Sequence, residues 1–249
     1  MRVLITNDDG FDSPGLAALA ALVGEAGHTP VVAAPVRDQS GVAAALGPLD
    51  DPDRVTIERV TVDGLEAHAV HAPTALIVML AMQGGFGEVP DLVVSGINNG
   101  PNTGRSTLHS ATVAAVLVAG YHGRSGLAVS QVDGVPQCWS TAAAVARPLL
   151  DWLCNHPATM LLNLNVPNVD PDELLGLRQA GLAHVGGVET VVTGRDETGI
   201  DIDLVPTRRE LPPGLDSTLL REGWATVSAL APPSALDIDL PTERWWRSR

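Results

Sequence analysis

Apolar residues fall along this chain in two rhythms, short unbroken runs and longer stretches where they recur every three or four positions. Residues 2–6 (RVLIT), 30–35 (PVVAAP), 91–96 (DLVVSG), 126–131 (GLAVSQ) and 159–167 (TMLLNLNVP) are runs of the first kind. Runs that are apolar without alternation predict strands buried on both faces. Residues 14–26, 73–83, 110–122 and about 137–155 read as helices between them, the first opened by Ser13 as N-cap with Pro14 at the first helical position and closed before Gly27. Strands alternating with helices predict an α/β fold, a mostly parallel sheet covered on both faces.

The pattern changes after Pro167. GGVETVVTGRDETGIDIDLVP (186–206) alternates polar with apolar, with turn signals at Gly194 and Gly199, and predicts a hairpin projecting from the core. WATVSAL (224–230) predicts a last strand. These shifts suggest a core over 1–168 and a C-terminal hairpin and extension over 169–249, the two forming one domain overall. The tail ends in ERWWRSR, where Trp245 and Trp246 are expected to pack on their own domain or on a neighbouring subunit.

Composition narrows the function. With 249 residues, 45% of them apolar, the chain can bury one large core. Its longest apolar run, TALIVMLAM (74–82), is far short of the roughly 20 residues that span a bilayer, and acidic residues interrupt the N-terminus, so a cytoplasmic protein with no membrane partner is expected. A net charge of −14 opposes binding to a nucleic-acid polymer. All fifteen basic residues are arginine, which excludes P-loop and Schiff-base chemistry, both of which need lysine. Cys138 and Cys154 lack metal-type or redox spacing and are expected to be reduced thiols.

The chemistry clusters just after the predicted strands, where open α/β sheets collect their ligands. Asn7, Asp8, Asp9 and Gly10 follow the first; Asp38, Gln39, Ser40 and Gly41 follow the second; Ser95, Asn98, Asn99 and Asn102 lie in SGINNGPNTG. Two adjacent carboxylates resist joint ionisation unless a positive charge joins them. Carboxylate, amide and hydroxyl oxygens suit Mg²⁺, Mn²⁺ or Ca²⁺, whereas zinc and copper prefer His and Cys. Ser110 and Thr112, at a helix start, offer hydroxyls and free N–H groups to a phosphate. The first strand is followed by NDDGFDSPG and not GxGxxG, which sets a dinucleotide-binding enzyme aside.

In order, LITNDDG, APVRDQSG, LVVSGINNGPNTG, HSATVAA, NLNVP and LREGWATVSAL resemble the SurE family of survival-protein nucleotidases, from residue 3 to about 232. The resemblance implies a Rossmann-like core with a projecting hairpin and C-terminal extension. It implies one divalent metal ion, a nucleoside monophosphate as substrate (5′ and also 3′ esters), and a homodimer or homotetramer. Carried over by motif, the metal ligands are Asp8, Asp9, Ser40 and Asn98, with Asp8 and Asp9 also catalytic. The family's phosphate-holding positions fall on Asn102, Ser110 and Thr112; Asn7 and Ala111 beside them are expected to face the substrate, and His109, where relatives have tyrosine, to be an auxiliary general acid. On this resemblance residues 1–168 are the catalytic core and 169–249 serve oligomerisation. On this reading the metal activates a water for in-line attack and Asp9 orients or deprotonates it.

This chain departs from the family in three places. Relatives read Gly-Thr-Pro-Ala-Asp where it has His71-Ala72-Pro73-Thr74-Ala75, losing a helix cap and an acidic group. Ala111 replaces a glycine at the phosphate helix, and the loop GVAAALGPLD after Ser40 carries few polar groups to read a base. Two alternatives therefore stand beside nucleotidase activity: hydrolysis of another small phosphate ester or short polyphosphate, and binding of metal and nucleotide with little turnover.

Overall fold

A computed structural model describes residues 1–207, 211–235 and 237. In chain order it begins β1 (Arg2–Thr6), α1 (Pro14–Glu25), β2 (Thr29–Pro35), β3 (Ile57–Val62), β4 (Leu65–Val70), α2 (Thr74–Met82) and β5 (Leu92–Asn99). It continues α3 (Ala111–Tyr121), β6 (Ser125–Gln131), α4 (Trp139–Asn155), β7 (Leu161–Val166), β8 (Leu177–Gln179), β9 (Val188–Arg195), β10 (Ile200–Pro206), α5 (Asp216–Arg221) and β11 (Ala225–Leu230). Each predicted strand and helix is present, within about three residues of its expected ends.

Among the described residues, nine strands form one sheet in the order β3-β4-β2-β1-β5-β6-β7-β11-β8. From β4 to β7 every pairing is parallel; β3 and β11 pair antiparallel with β4 and β7. Alternate residues of each strand point to opposite faces, which is why the central runs are apolar throughout. Val3 and Ile5 pack with Leu16, Leu19 and Val23 of α1 and with Ala146 and Leu150 of α4. Leu4 faces the other way, onto Ile77 and Val78 of α2 and Ala115 and Ala119 of α3. Gly15 lets α1 lie directly on β5, because a Cβ there would collide with the Ile97 carbonyl.

The β3–β4 hairpin is an addition to the elements expected from the sequence. Its two-residue turn puts both central residues at positive φ, Asp63 at 47° and Gly64 at 80°, as a type I′ turn requires. At the other edge, the chain beyond residue 168 returns to the main sheet: β11 lies beside β7 and β8 beside β11. The only strands after residue 168 that stand off the main sheet, among the described residues, are β9 and β10, which form their own antiparallel ribbon. Its turn lies at 196–199, where Asp196 Oδ1 accepts from Thr198 N (2.7 Å) and Gly199 N (3.0 Å); Gly194 is inside β9. Both cysteines are free. No helix among the described residues is long and apolar enough to cross a membrane. Trp245 and Trp246 lie outside the described residues.

Candidate active site

The sheet order reverses at β1: the chain passes from β1 outward to β2, then crosses back to place β5 on the other side. Crevices form beyond the carboxyl ends of strands at such a switch point. The loop that follows β1 there carries Asn7, Asp8 and Asp9. Asn7 is fully buried and pins this loop, its Nδ2 donating to Gly10 O (2.9 Å) and Ser13 Oγ (2.6 Å). The Asn7 carbonyl accepts from the buried Thr74 hydroxyl (2.9 Å). Thr74 belongs to the segment that departs from the family pattern, and Ala75 beside it is fully buried in α2, whose N-terminus has no side-chain cap. His71 points elsewhere, its Nε2 2.7 Å from Glu58 Oε1.

Asp8 is 3% exposed and meets the N-terminus of α3. The Thr112 hydroxyl donates to Asp8 Oδ1, and the Thr112 amide also donates to this carboxyl. Both bonds and the helix dipole favour the anion. Burial outweighs them, and the Asp8 carboxyl is raised above its ordinary range. Asp9, half-buried, is pushed up to about 7 by desolvation, then by the charge on Asp8, against a hydrogen bond from the Asn99 amide. Asp38 adds to the repulsion on both. The loop holding Asp38 and Ser40 is brought in by Gln39, whose N–H donates to Asp8 O (2.7 Å), while Ser40 N donates to Asp38 Oδ1 (2.7 Å). Ser40 is exposed there. Asn98 ends β5, half-buried, with Nδ2 on Gly100 O (2.7 Å).

No arginine or histidine among the described residues forms an ion pair with Asp8 or Asp9. No three of His, Cys, Asp or Glu gather as a zinc-type set would, again among the described residues. The loops that follow β1, β2 and β5 offer carboxylate, hydroxyl and amide oxygens, and Asn7 Oδ1 beside Asp8 is a buried acceptor with no partner. Such a set fits a hard divalent cation and its waters.

Asn102 is fixed from three sides. Its N–H donates to Asn165 Oδ1 (2.7 Å), its carbonyl accepts from Asn163 Nδ2 (2.8 Å) and Asn165 Nδ2 (3.0 Å), and its Nδ2 donates to Ser130 Oγ (2.9 Å). Ser110 caps α3, accepting from Val113 N (3.1 Å), which leaves its own hydroxyl proton free to donate. Ala111 is fully buried, and His109 is exposed at the end of the 3-10 segment Gly104–His109. The structure thus brings Thr112 against Asp8, with Asp9 beside it on the Asn99 amide, and ties the loop of Ser40 to the Asp8 carbonyl through Gln39. It commits Asn7 to loop structure. Asp38 was expected among the polar residues after the second strand, without a role; Thr74, Asn163 and Asn165 were not expected at the site. The alternating asparagines of LNLNV, polar on one face of a buried strand, were the available signal for the last two.

Beyond Asn102 the crevice opens into a cavity of about 730 Å³ over the ends of β6 and β7. Pro101 and Thr103, on either side of Asn102, line it, with Val132, Pro167 and Leu220 as apolar wall and Asp133 and Ser217 as polar groups.

A mostly parallel sheet with helices on both faces, and with paired carboxylates and a helix N-terminus meeting at its switch point, defines a doubly wound α/β protein. The family model for survival protein SurE matches residues 3–186, and the chain belongs to the SurE family. It is 38% identical over 252 residues to the 5′-nucleotidase SurE of Chloroflexus aggregans, covering 98% of this chain and 96% of that one. It is 36% identical over 238 residues to the 5′-nucleotidase SurE of Methylococcus capsulatus, covering 92% and 91%. The crystal structure of the SurE protein from Aquifex aeolicus superposes with a TM-score of 0.76 at 24% identity, covering 100% of this chain and 98% of that one, a likeness of fold.

Proposed function

We propose that this chain is a divalent-metal-dependent phosphomonoesterase that hydrolyses nucleoside monophosphates, 5′ esters and also 3′ esters, to nucleoside and phosphate. The observation that carries the reading is the Asp8–Asp9 pair at the switch point, Asp8 buried against the N-terminus of α3 and Asp9 half-buried beside it, with no basic side chain paired to either among the described residues. The family's curated nucleotidases support the substrate class. Asp8, Asp9, Ser40 and Asn98 would hold one cation, Mg²⁺ or Mn²⁺. Bound there, it supplies charge neutralisation of the phosphate and a more acidic water. Asp9, the less buried carboxylate, orients that water. Asn102 and Ser110 hold the non-bridging oxygens through fixed donors, which need no reorganisation as charge develops. Thr112 keeps Asp8 in place, and His109 is the candidate proton donor to the leaving oxygen. The nucleoside occupies the cavity over β6 and β7, whose apolar wall accepts a base face.

The β9–β10 ribbon supports a homodimer or homotetramer, since Ile202 and Leu204 are more than 60% exposed on it. The two free thiols suit the reducing cytoplasm. The test is phosphate release from 5′- and 3′-nucleoside monophosphates and an aryl phosphate, with Mg²⁺ or Mn²⁺ against EDTA. Metal-dependent release that vanishes in Asp8→Ala is expected. Metal binding by calorimetry with no release from any ester would overturn hydrolysis in favour of a receptor.

A further inference from the structure

Asp216, the first residue of α5, is fully buried, and each of its carboxylate oxygens is bound by backbone amides. Oδ2 accepts from Gly104 N (2.7 Å); Oδ1 accepts from Ala183 N (2.8 Å) and Ser217 N (2.7 Å). A buried carboxylate is stable only when its lone pairs are met in this way. The three amides belong to segments far apart in sequence: the loop that carries Asn102 and leads to Ser110, the strip that runs into β9, and α5 itself.

The same strip packs against that loop backbone to backbone. Arg105 N donates to Ala183 O (3.0 Å). Gly104 has φ +60°, and a Cβ on it would collide with the Val185 carbonyl. A Cβ on Gly186 would collide with the Ser106 side chain, whose hydroxyl donates to Thr103 O (2.7 Å). Two glycines thus bring the root of the hairpin flush against the segment between Asn102 and Ser110, and Asp216 ties the joint.

We infer that Asp216 is a positioning residue for the reaction: it fixes the loop 101–110 so that Asn102 and Ser110 meet the phosphate at one separation, and it couples that separation to the root of the β9–β10 ribbon. The inference rests on the reading of Asn102 and Ser110 as the phosphate holders. Asp216 bonds none of the three segments that carry Asp8 and Asp9, Ser40 and Asn98, so its effect falls on the phosphate ester and spares the cation.

Asp216→Asn makes the test specific. With the amide oxygen kept toward Ala183 and Ser217, the amide NH₂ faces the Gly104 N–H, donor against donor. In the full-length protein with Mn²⁺, kcat/KM for a nucleoside monophosphate should fall about 100-fold, with a higher KM. Mn²⁺ affinity by calorimetry should stay within about threefold, the spread expected without a lost ligand contact. Asp216→Glu should recover part of the loss. Leu153→Ala, a cavity at the far end of α4, controls for lost stability and should leave KM unchanged below its melting temperature. If Asp216→Asn does not fold, Gly186→Ala, which displaces Ser106 while leaving the carboxylate intact, should raise KM in the same way. Asn102→Ala, run in parallel, separates the two levels. Full activity in Asn102→Ala overturns the phosphate-site reading. An impaired Asn102→Ala beside an unchanged KM in Asp216→Asn, or in Gly186→Ala where that stands in for it, overturns the positioning role.

Discussion

Asp8 and Asp9 are adjacent in sequence and held apart in environment. Asp8 is sealed against α3 with its charge met by Thr112; Asp9 is half open and is raised to about 7, by desolvation first and its neighbour's charge second. Removing the Thr112 hydroxyl while keeping its shape should therefore act through Asp8. Thr112→Val should weaken Mn²⁺ binding by about 10- to 100-fold, measured by calorimetry, as loss of a ligand's supporting hydrogen bond does. Asp8→Ala should lower kcat/KM by about 1000-fold or more. The sequence made Asp8 and Asp9 conspicuous because two adjacent carboxylates resist joint ionisation without a positive charge between them, and because other oxygen donors follow the neighbouring strands. It left Asp38 unassigned, because its importance is a distance across two strand ends. It made Asn7 look like a substrate-facing group, since an asparagine beside Asp8 and Asp9 carries the right atoms; the fold shows its Nδ2 turned back to Gly10 and Ser13 and its Oδ1 buried without a partner.

At the scale of elements, α1 lies directly on β5 below the site. Gly15→Ala places a methyl on the Ile97 carbonyl, so α1 must move away from the strand that carries Asn98. An unfolding free energy lower by about 1–3 kcal/mol is expected in urea titration, together with weaker metal binding. The long elements were legible because burial imposes their periods over ten or more residues. β8, with three residues, and α5, with six, are too short to show a period and are held by their neighbours. The β3–β4 hairpin did carry a signal, Asp63-Gly64 between alternating residues. Its first strand is a mostly exposed edge, so the apolar half of that alternation is weak.

For the whole molecule, the raised carboxyls set a pH dependence of stability. An acid whose folded pKa lies above its unfolded value binds protons more tightly when folded. That stabilisation is complete below about pH 4 and is lost as pH rises toward 7. The metal-free protein should thus lose melting temperature between about pH 4 and 7, and Asp9→Asn should flatten the slope. Added Mn²⁺ should raise the melting temperature more at neutral pH than at pH 5; an equal shift at both would remove Asp9 from the cation site. Ile202→Asp with Leu204→Asp on the ribbon should reduce the particle mass seen by light scattering without lowering metal affinity.

The return of β11 to the side of β7 also fixes when this protein can fold. Residues 226–230 pair with residues 161–165, and β8 in turn pairs with β11, so one flank of the sheet closes only after residue 230 has been made. A growing chain that has just completed β7 presents it as an open edge lined by Leu161, Leu162 and Leu164, a template for pairing with another nascent chain. Slower synthesis between residues 167 and 225 lengthens that exposure, and a nascent chain interrupted there holds two aspartates in place without the strand that finishes their scaffold.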